Sequence, residues 1–249
     1  MKQSCSPTDL RRPAPVLGNS WCSRVTKFGL IRCSGGLLLL AVLLFQSGCI
    51  NTMVMVSKVL MGDPMQQSGY EVATGVSLKK EQKKILIHVT APSTVSEVYN
   101  TLTSDVEEEL MRRMKRHKLA VLHPDVAAKT FDRLGGNFDP KALAEDISEL
   151  DLVFHITVEQ FRYKEESSPN FYRGYATGRI VGFEVRDKET NRHTVQVFDQ
   201  RFHATYPTTY PVAVDQTPQN VFVRRFIDHI ADALGASFYD VNRSDLYAN

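Results

Sequence analysis

One apolar run near the start of the sequence constrains what the rest of the chain can be. Residues 37–45 read Leu-Leu-Leu-Leu-Ala-Val-Leu-Leu-Phe, and Gln46, Ser47, Gly48 and Cys49 follow directly. A helix that crosses a bilayer needs about 20 apolar residues, so this run is too short. It has the length of the hydrophobic region of a secretory signal, and three basic residues lie upstream of it: Arg24, Lys27 and Arg32. The sequence therefore predicts an exported protein.

The end of this run resembles the lipobox of bacterial lipoproteins. Ser47 and Gly48 are small, as signal peptidase II requires before the cysteine that becomes the acylated N-terminus. The resemblance implies a signal peptide over residues 1–48, a palmitate-type lipid anchor on Cys49 and a place on the periplasmic face of the cell envelope. Ile50 follows the cysteine, where Asp signals inner-membrane retention in some bacteria, so we expect the outer membrane. The alternative is an uncleaved membrane helix that extends through Val56.

Cleavage after residue 48 would change both the cysteine content and the charge. Cys5, Cys22 and Cys33 would be lost, and a single acylated Cys49 can form neither a disulfide framework nor a cysteine zinc site. The first 48 residues hold six basic residues and one acidic residue, so 24 of the 30 basic and 27 of the 28 acidic residues remain, a net charge of −3. Nucleic-acid binding needs clustered positive charge, and we predict no nucleic-acid partner.

The remaining chain divides into a tether, a domain and a tail. Residues 49–82 contain four of the seven methionines and no sustained period, which is typical of a lipid-anchored tether. Periodic elements over residues 83–240 predict one α/β envelope domain, and residues 241–249 form a C-terminal tail.

The first part of the domain alternates between strand and helix signals. Residues 84–89 and 119–122 are short apolar runs typical of buried strands. Between them, the capping-box pair Thr94 and Glu97 begins an apolar stripe that predicts a helix of about six turns. On the exposed face of this long helix, Glu108 pairs with Arg112 and Glu109 with Arg113 at i,i+4 spacing. Two shorter helices follow, one from Asp125 to the glycine pair at 135–136 and one that begins at Asp139-Pro140.

The second part of the domain reads as an antiparallel meander. Long alternating runs cover residues 152–163, 175–187 and 194–206, and the apolar phase flips near Glu159, which predicts a bulge. A last helix begins at Thr217-Pro218, and Phe238-Tyr239 folds back on it. The predicted fold class is α/β, with a single mixed sheet of about five strands and three main helices in the order β-α-β-α-β-β-β-α.

This order of elements resembles three groups of bacterial envelope proteins. They are the curli-secretion lipoproteins, the N-terminal domain of TolB and the lipoprotein activators of penicillin-binding proteins. The resemblance rests on residues 119–122, the helix through Phe131, Ala142-Leu143-Ala144 and Leu150 to Val153. A narrower similarity is to uncharacterised envelope lipoproteins of the kind abundant in planctomycetes, carried by Phe171-Tyr172-Arg173-Gly174, Tyr206-Pro207 and Phe238-Tyr239. It implies fold and compartment rather than activity.

Catalytic and metal-binding motifs do not stand out. Phosphate-binding loops, nucleophile elbows and paired zinc-binding histidines are not found, and the seven histidines are dispersed. His155 and His203 are the one pair that the strand pattern would place on a common sheet face. Strand histidines on a polar face are usually solvated, and no carboxylate is spaced to complete a site, so solvated side chains are the favoured interpretation. We expect no cofactor, no metal and no enzymatic activity.

Aromatic and arginine side chains flank the first hairpin of the meander. Tyr and Arg are common interface anchors, and loops on a rigid sheet often carry binding. The expected partner-binding residues are Arg162, Tyr163, Phe171, Tyr172, Arg173 and Tyr175. The alternative is that most of these rings close the end of the core.

These patterns favour a non-catalytic, lipid-anchored protein that acts as a scaffold or accessory subunit for another envelope protein. A carrier of a small apolar ligand or lipid is the second hypothesis, and a hydrolase is the third. The sequence leaves the oligomeric state open.

Replacing the proposed lipid acceptor tests the anchor. Cys49→Ser should abolish labelling by radioactive palmitate and release the protein from the membrane fraction, because the acyl chains would have no attachment point. A variant that remains fully membrane-bound would favour the uncleaved helix instead.

Overall fold

The computed structural model describes residues 65–188 and 191–242. The expected signal peptide, the lipid acceptor Cys49 and the last residues of the tail lie outside the described residues. The strands are β1 (Met65–Gln66), β2 (Ile85–Thr90), β3 (Leu152–Lys164), β4 (Phe171–Lys188), β5 (Asn191–Tyr206), β6 (Val212–Ala213) and β7 (Val241–Asn242). The helices are α1 (Gly69–Thr74), α2 (Leu78–Glu81), α3 (Ser93–Ser96), α4 (Leu102–Arg116), α5 (Ala128–Arg133), α6 (Pro140–Asp146) and α7 (Gln219–Gly235), with a 3-10 turn at Pro124–Ala127.

A mixed five-stranded sheet lies at the centre of this unit. Its order is β2-β3-β4-β5, and the short strand β6 pairs with the start of β4. β2 runs parallel to β3, whereas β3, β4 and β5 form the predicted antiparallel meander. The register shifts between Val158 and Gln160, which confirms the bulge expected at Glu159. The α/β class and the mixed sheet of five strands are confirmed.

The strand expected at residues 119–122 is reduced to a single bridge. Val121 bridges to Ile85, whose N–H donates to the Ala120 carbonyl oxygen over 2.8 Å. Pro124 then begins the 3-10 turn and has no N–H with which to continue a ladder. The fifth strand of the sheet is β6 instead.

The long helix predicted from Thr94 is divided in two. α3 begins after Pro92 rather than Thr94 and ends at Ser96, and α4 starts only at Leu102. The intervening residues include Asn100 and Thr101, which are weak helix formers. The capping box predicted for Thr94 and Glu97 is therefore wrong.

The two faces of the sheet are covered to different extents. On the core face, α4 and α7 pack over the sheet and bury the inward residues of β2 and β3 completely or nearly so. On the opposite face, which we call the outer face, α5 and α6 cover only one end. Their cluster consists of Leu86, Ala127, Leu143, Ile147, Leu150 and Val153.

A buried carboxylate joins the two long helices. The side chain of Glu109 is only 2% exposed and accepts hydrogen bonds from Arg112 and Arg113 of its own helix and, over 3.4 Å, from Arg224 of α7. Burial alone would raise the pKa of Glu109, but the bond from Arg112 and the charges of Arg112 and Arg113 lower it below its usual value. The Glu109–Arg113 pair was predicted correctly, but on an exposed face; the packing of α7 buries it.

Residues 65–82 belong to the packed unit although the sequence assigns them to the tether. Tyr70 and Leu78 are each 1% exposed, and the Tyr70 ring lies 5.6 Å from those of Phe154 and Phe198 on the core face. β1 also pairs with β7, so the first two residues of the expected tail are part of the same structure. Because the apolar side chains of residues 65–82 show no periodicity, the sequence places the start of the domain too late, at residue 83.

One arginine fastens α6 to the edge of the sheet. Arg192 of β5 donates to the carbonyl oxygens of Ala144 (2.7 Å), Ile147 (2.9 Å) and Leu150 (2.9 Å). These carbonyls lie at and beyond the C-terminal end of the helix, where they have no partner in the next turn and where a positive charge is favourable. The guanidinium therefore holds the helix end, the following turn and β5 together.

Removing that side chain should loosen this corner. Arg192→Ala should lower the free energy of unfolding by about 2 kcal/mol, because several charge-assisted hydrogen bonds to carbonyls are lost. Urea unfolding of both proteins measures the change. Arg186→Ala removes an exposed arginine paired with Glu184 and should change stability by less than about 0.5 kcal/mol. Equal effects of the two substitutions would contradict the prediction.

Candidate functional site

Close packing on the core face fixes the hairpin formed by β3 and β4. Tyr172 is 3% exposed and stacks on Phe222 of α7, with ring centroids 4.9 Å apart. A Cβ atom on Gly174 would lie 2.5 Å from the Phe226 ring, so this position has room for no side chain. Alternate residues of β4 are thereby committed to the core, and the ones between them point to the outer face.

The outer face of this hairpin carries arginines, a tyrosine and glutamates. The Arg162 guanidinium carbon lies 4.8 Å from the centroid of the Tyr175 ring, a cation–π contact. Arg162 also donates to Glu166 over 2.6 Å, and Arg173 lies 3.7 Å from Glu165. The charges of this patch are therefore paired with one another while their side chains stay partly exposed.

Two clefts adjoin on this face, and Tyr175 lines both. The smaller, of about 200 Å³, is lined by Arg162, Glu165, Arg173, Gly174, Tyr175 and Thr205. The larger, of about 400 Å³, is open and lies between Glu159 and Gln160 on β3 and Arg201 and His203 on β5. We call the surface formed by Arg162, Arg173, Tyr175, Arg201 and His203 the open face.

The structure separates the six residues that the sequence singled out. Arg162, Arg173 and Tyr175 lie together on the open face. Tyr172 is a core residue, and Tyr163 is half-buried on the core side, where its hydroxyl accepts a hydrogen bond from Gln219 over 3.0 Å. Phe171 is 40% exposed at the start of β4. The alternative interpretation, that these rings close the core, therefore holds for Tyr163 and Tyr172.

Sequence reasoning missed the contribution of β5 to this surface. Arg201 pairs in register with Arg179, and His203 with Thr177, so both extend the rows of outward side chains that begin on β3. Asp199 is held by Arg179, whose Nε donates to it over 2.7 Å. The structure shows no hydrogen bond or ion pair of the Arg201 side chain among the described residues. The alternation of residues 199–203 predicts which of their side chains share a face. The register with β4 is needed to place those side chains beside the hairpin.

The two histidines considered as a metal pair share a face without approaching each other. His155 lies in the row of Val181 and Asp199, whereas His203 lies two rows further along and two strands away. Within residues 65–188 and 191–242, no three His, Cys, Asp or Glu side chains are grouped so that they could hold a metal ion.

His155 instead stacks with His88 in the covered part of the outer face. The two residues are in register on β2 and β3, and His155 shares a 2.8 Å hydrogen bond with the hydroxyl of Thr90. Aromatic rings of the α5–α6 region cover both imidazoles: Phe131 lies 4.2 Å from His88, and Phe138 lies 4.1 Å from His155. This is a packed layer of rings rather than an open site.

Burial makes this layer sensitive to protonation. Desolvation, and to a lesser extent the nearby His155, lower the pKa of His88 to about 4. Within the described part of the chain, His88 Nε2 has no hydrogen-bond partner, and Nδ1 lies 4.0 Å from Glu107. Burial raises the pKa of Glu107, although its carboxylate accepts a 3.0 Å hydrogen bond from the Val89 N–H, which opposes that rise.

Comparisons with known proteins give structural neighbours only. No protein-family model and no curated protein matches the chain. A hypothetical protein from Chlamydia trachomatis, CT253, is 15% identical over 63% of this chain and 97% of its own, with a TM-score of 0.37. PelC from Paraburkholderia phytofirmans, solved as a dodecamer, is 10% identical over 71% and 97%, with a TM-score of 0.37. The lipoprotein GNA1162 from Neisseria meningitidis is 14% identical over 60% and 99%, with a TM-score of 0.33.

The described helices include none that is both long enough and apolar enough to pass through a membrane.

Acid should destabilise the protein through His88. Its pKa is lower in the folded chain than in the unfolded one, so the stability it contributes is present above about pH 6.5 and is lost as the pH falls toward 4. The loss is on the order of 2 kcal/mol, and His88→Phe, which keeps a ring in the stack, should remove most of it.

Urea unfolding between pH 4.5 and 7.5 measures this effect. Glu107 acts in the opposite sense, because a carboxyl with a raised pKa adds stability at acid pH that is lost as the pH rises. Both Glu107 and His155 are present in the two proteins, so the difference between their pH profiles isolates His88. Parallel profiles would contradict the prediction.

Proposed function

We propose that this chain is a lipid-anchored, non-catalytic protein on the periplasmic face of a bacterial envelope, in the outer membrane. It serves there as a scaffold or accessory subunit and binds another envelope protein through the open face. The observation that carries the proposal is the pair of clefts on either side of Tyr175, because an aromatic ring and arginines on a rigid sheet are the side chains that dominate protein interfaces.

The lipid anchor supports the envelope location. Cys49 follows a short apolar run and two small residues, and the residues up to 64 would link the acylated cysteine to β1. The resemblance to envelope lipoproteins, carried in part by Phe171-Tyr172-Arg173-Gly174, agrees with the same location.

The side on which the chain enters the sheet supports the use of the open face. Residues 65–82 pack on the core face, where Tyr70 contacts Phe154 and Phe198. These residues therefore occupy the core face, and the outer face is the side of the sheet that remains uncovered beside Tyr175. The open face would then be accessible to a partner in the periplasm.

Ionic pairing within the open face also fits a binding role. Arg162 and Arg173 are held by Glu166 and Glu165, so their guanidinium groups are already oriented when a partner arrives. Side chains that are ordered before binding lose less conformational entropy in the complex. Tyr175 adds a flat apolar surface between them.

Site-specific crosslinking in living cells tests this proposal. A photoreactive amino acid at position 175 should give a discrete crosslinked product with one envelope protein, whereas the same amino acid at position 186, exposed at the other end of β4, should not. Mass spectrometry of the product identifies the partner.

Substitution then tests the energetics of the same contact. Tyr175→Ala combined with Arg162→Ala should reduce recovery of that partner at least about tenfold, as expected for central interface anchors. Arg186→Ala is the matched control and should leave recovery unchanged. Tyr172→Ala is unsuitable, because it would open a cavity against Phe222. Undiminished recovery by the double variant would rule out the open face.

A further inference from the structure

β5 forms a long free edge of the sheet. It extends from Asn191 to Tyr206 and pairs with β4 on one side; among the described residues, no strand pairs with its other side. Free edges offer unpaired backbone N–H and C=O groups, and natural proteins usually blunt them with lysine, proline or a covering element. β5 contains neither lysine nor proline.

Only part of this edge is held by other elements. Arg192, near the start of β5, binds the end of α6, so the first residues of the strand are tied to that helix. Beyond Val197, which packs against the core, the outer-face side chains Asp199, Arg201 and His203 are exposed. Gln200 is also exposed and accepts a 3.5 Å hydrogen bond from the Ser237 hydroxyl. A cleft of about 400 Å³ runs beside this stretch, lined by Phe198, Asp199 and Gln200 of β5 and by the exposed side chain of Val72.

The charges along this edge disfavour two registers in which it could pair with itself and favour the register between them. When two copies of one strand pair antiparallel about a two-fold axis, the residue numbers of every opposite pair add up to the same total. That total is even, because the residues whose backbone groups point to the free edge alternate along the strand. A pair centred on Asp199 would set two aspartates opposite each other, and one centred on Arg201 would set two arginines opposite each other. Like charges directly opposite are destabilising.

A pair centred on Gln200 removes this conflict. It places Asp199 opposite Arg201 of the second copy, and Arg201 opposite Asp199 of the second copy, both on the outer face. Arg201 lies next to Arg179 in its own sheet and makes no hydrogen bond or ion pair among the described residues, although its charge acts on Asp199 of the same strand. The pairing would place a second carboxylate directly opposite it. On the core face the same register sets Phe198 opposite Phe202 of the second copy.

We propose that two copies of this chain associate through β5, in an antiparallel pair centred on Gln200, and that the Asp199–Arg201 pairs fix its register. The two sheets then form one continuous sheet across a two-fold axis. This association does not depend on the protein partner proposed for the open face.

A complementary pair of charge reversals tests the register. Arg201→Asp leaves only acidic residues at positions 199 and 201, and Asp199→Arg leaves only basic residues there. Each variant alone should be a monomer, since every register that pairs the two sites opposes like charges. A mixture of the two variants should form a dimer with one copy of each, because both cross-strand pairs are then restored.

The measurement uses the full anchored chain, purified in detergent, with light scattering and native mass spectrometry to determine the protein mass. The wild-type chain should be a dimer, and Arg186→Asp, exposed on β4 and outside both proposed surfaces, should remain one. Arg201→Gln, which introduces no repulsion, should weaken the dimer by about tenfold or more. This milder variant keeps the test valid if a charge reversal disturbs folding.

Other results would overturn the proposal. A monomeric or larger wild-type assembly, a charge-reversed variant that still dimerises alone, a mixture that stays monomeric, or an Arg201→Gln dimer as tight as wild type would each exclude this edge pairing. Loss of dimerisation with retained crosslinking at position 175, or the reverse, separates the two proposed surfaces.

Discussion

Aromatic rings pack directly against the glycines of β4, and this close packing constrains the rest of the structure. Gly174 and Gly178 point to the core face, and a Cβ atom at either would lie 2.5 Å from a ring atom of Phe226 or Phe202. At Gly178 it would also lie 2.1 Å from the Thr157 carbonyl oxygen. Because Gly174 has no side chain, Phe226 of α7 lies directly on β4 at that point. α7 also contacts α4, where the Arg224 guanidinium lies 3.4 Å from the Glu109 carboxylate.

The same constraint decides what the outer face can present. Strand alternation leaves Arg173, Tyr175 and Arg179 on the side opposite the glycines, and the two short helices α5 and α6 do not extend that far along the sheet. Side chains at this end contact side chains of the neighbouring strand on the same face, as Arg162 contacts Tyr175. The face is therefore polar, ordered and uncovered, and it is a consequence of how tightly the other side is packed.

The features of this fold that depend on a single local cause can be predicted from the sequence. The phase flip before Phe161 predicts the bulge, Asp139 caps α6 through a 2.9 Å bond from the Lys141 N–H, and Gly135 has the positive φ of +61° that a helix end favours. Predictions were wrong or incomplete where distant contacts decide. The burial of Tyr172 depends on α7, and the early start of the domain depends on how Tyr70 meets Phe154. Neither contact has a local signature in the sequence.

The proposed pairing through β5 fixes how the open faces of the two copies are oriented. Opposite residues of a paired strand share a face, so a two-fold pair through β5 directs both open faces to the same side. Residues 65–82 pack on the core face of each copy, so in such a pair they lie on the side of the joined sheet opposite the two Tyr175 sites. A partner with two matching sites would bind such a pair more tightly than either copy alone, because the second contact forms within the same complex.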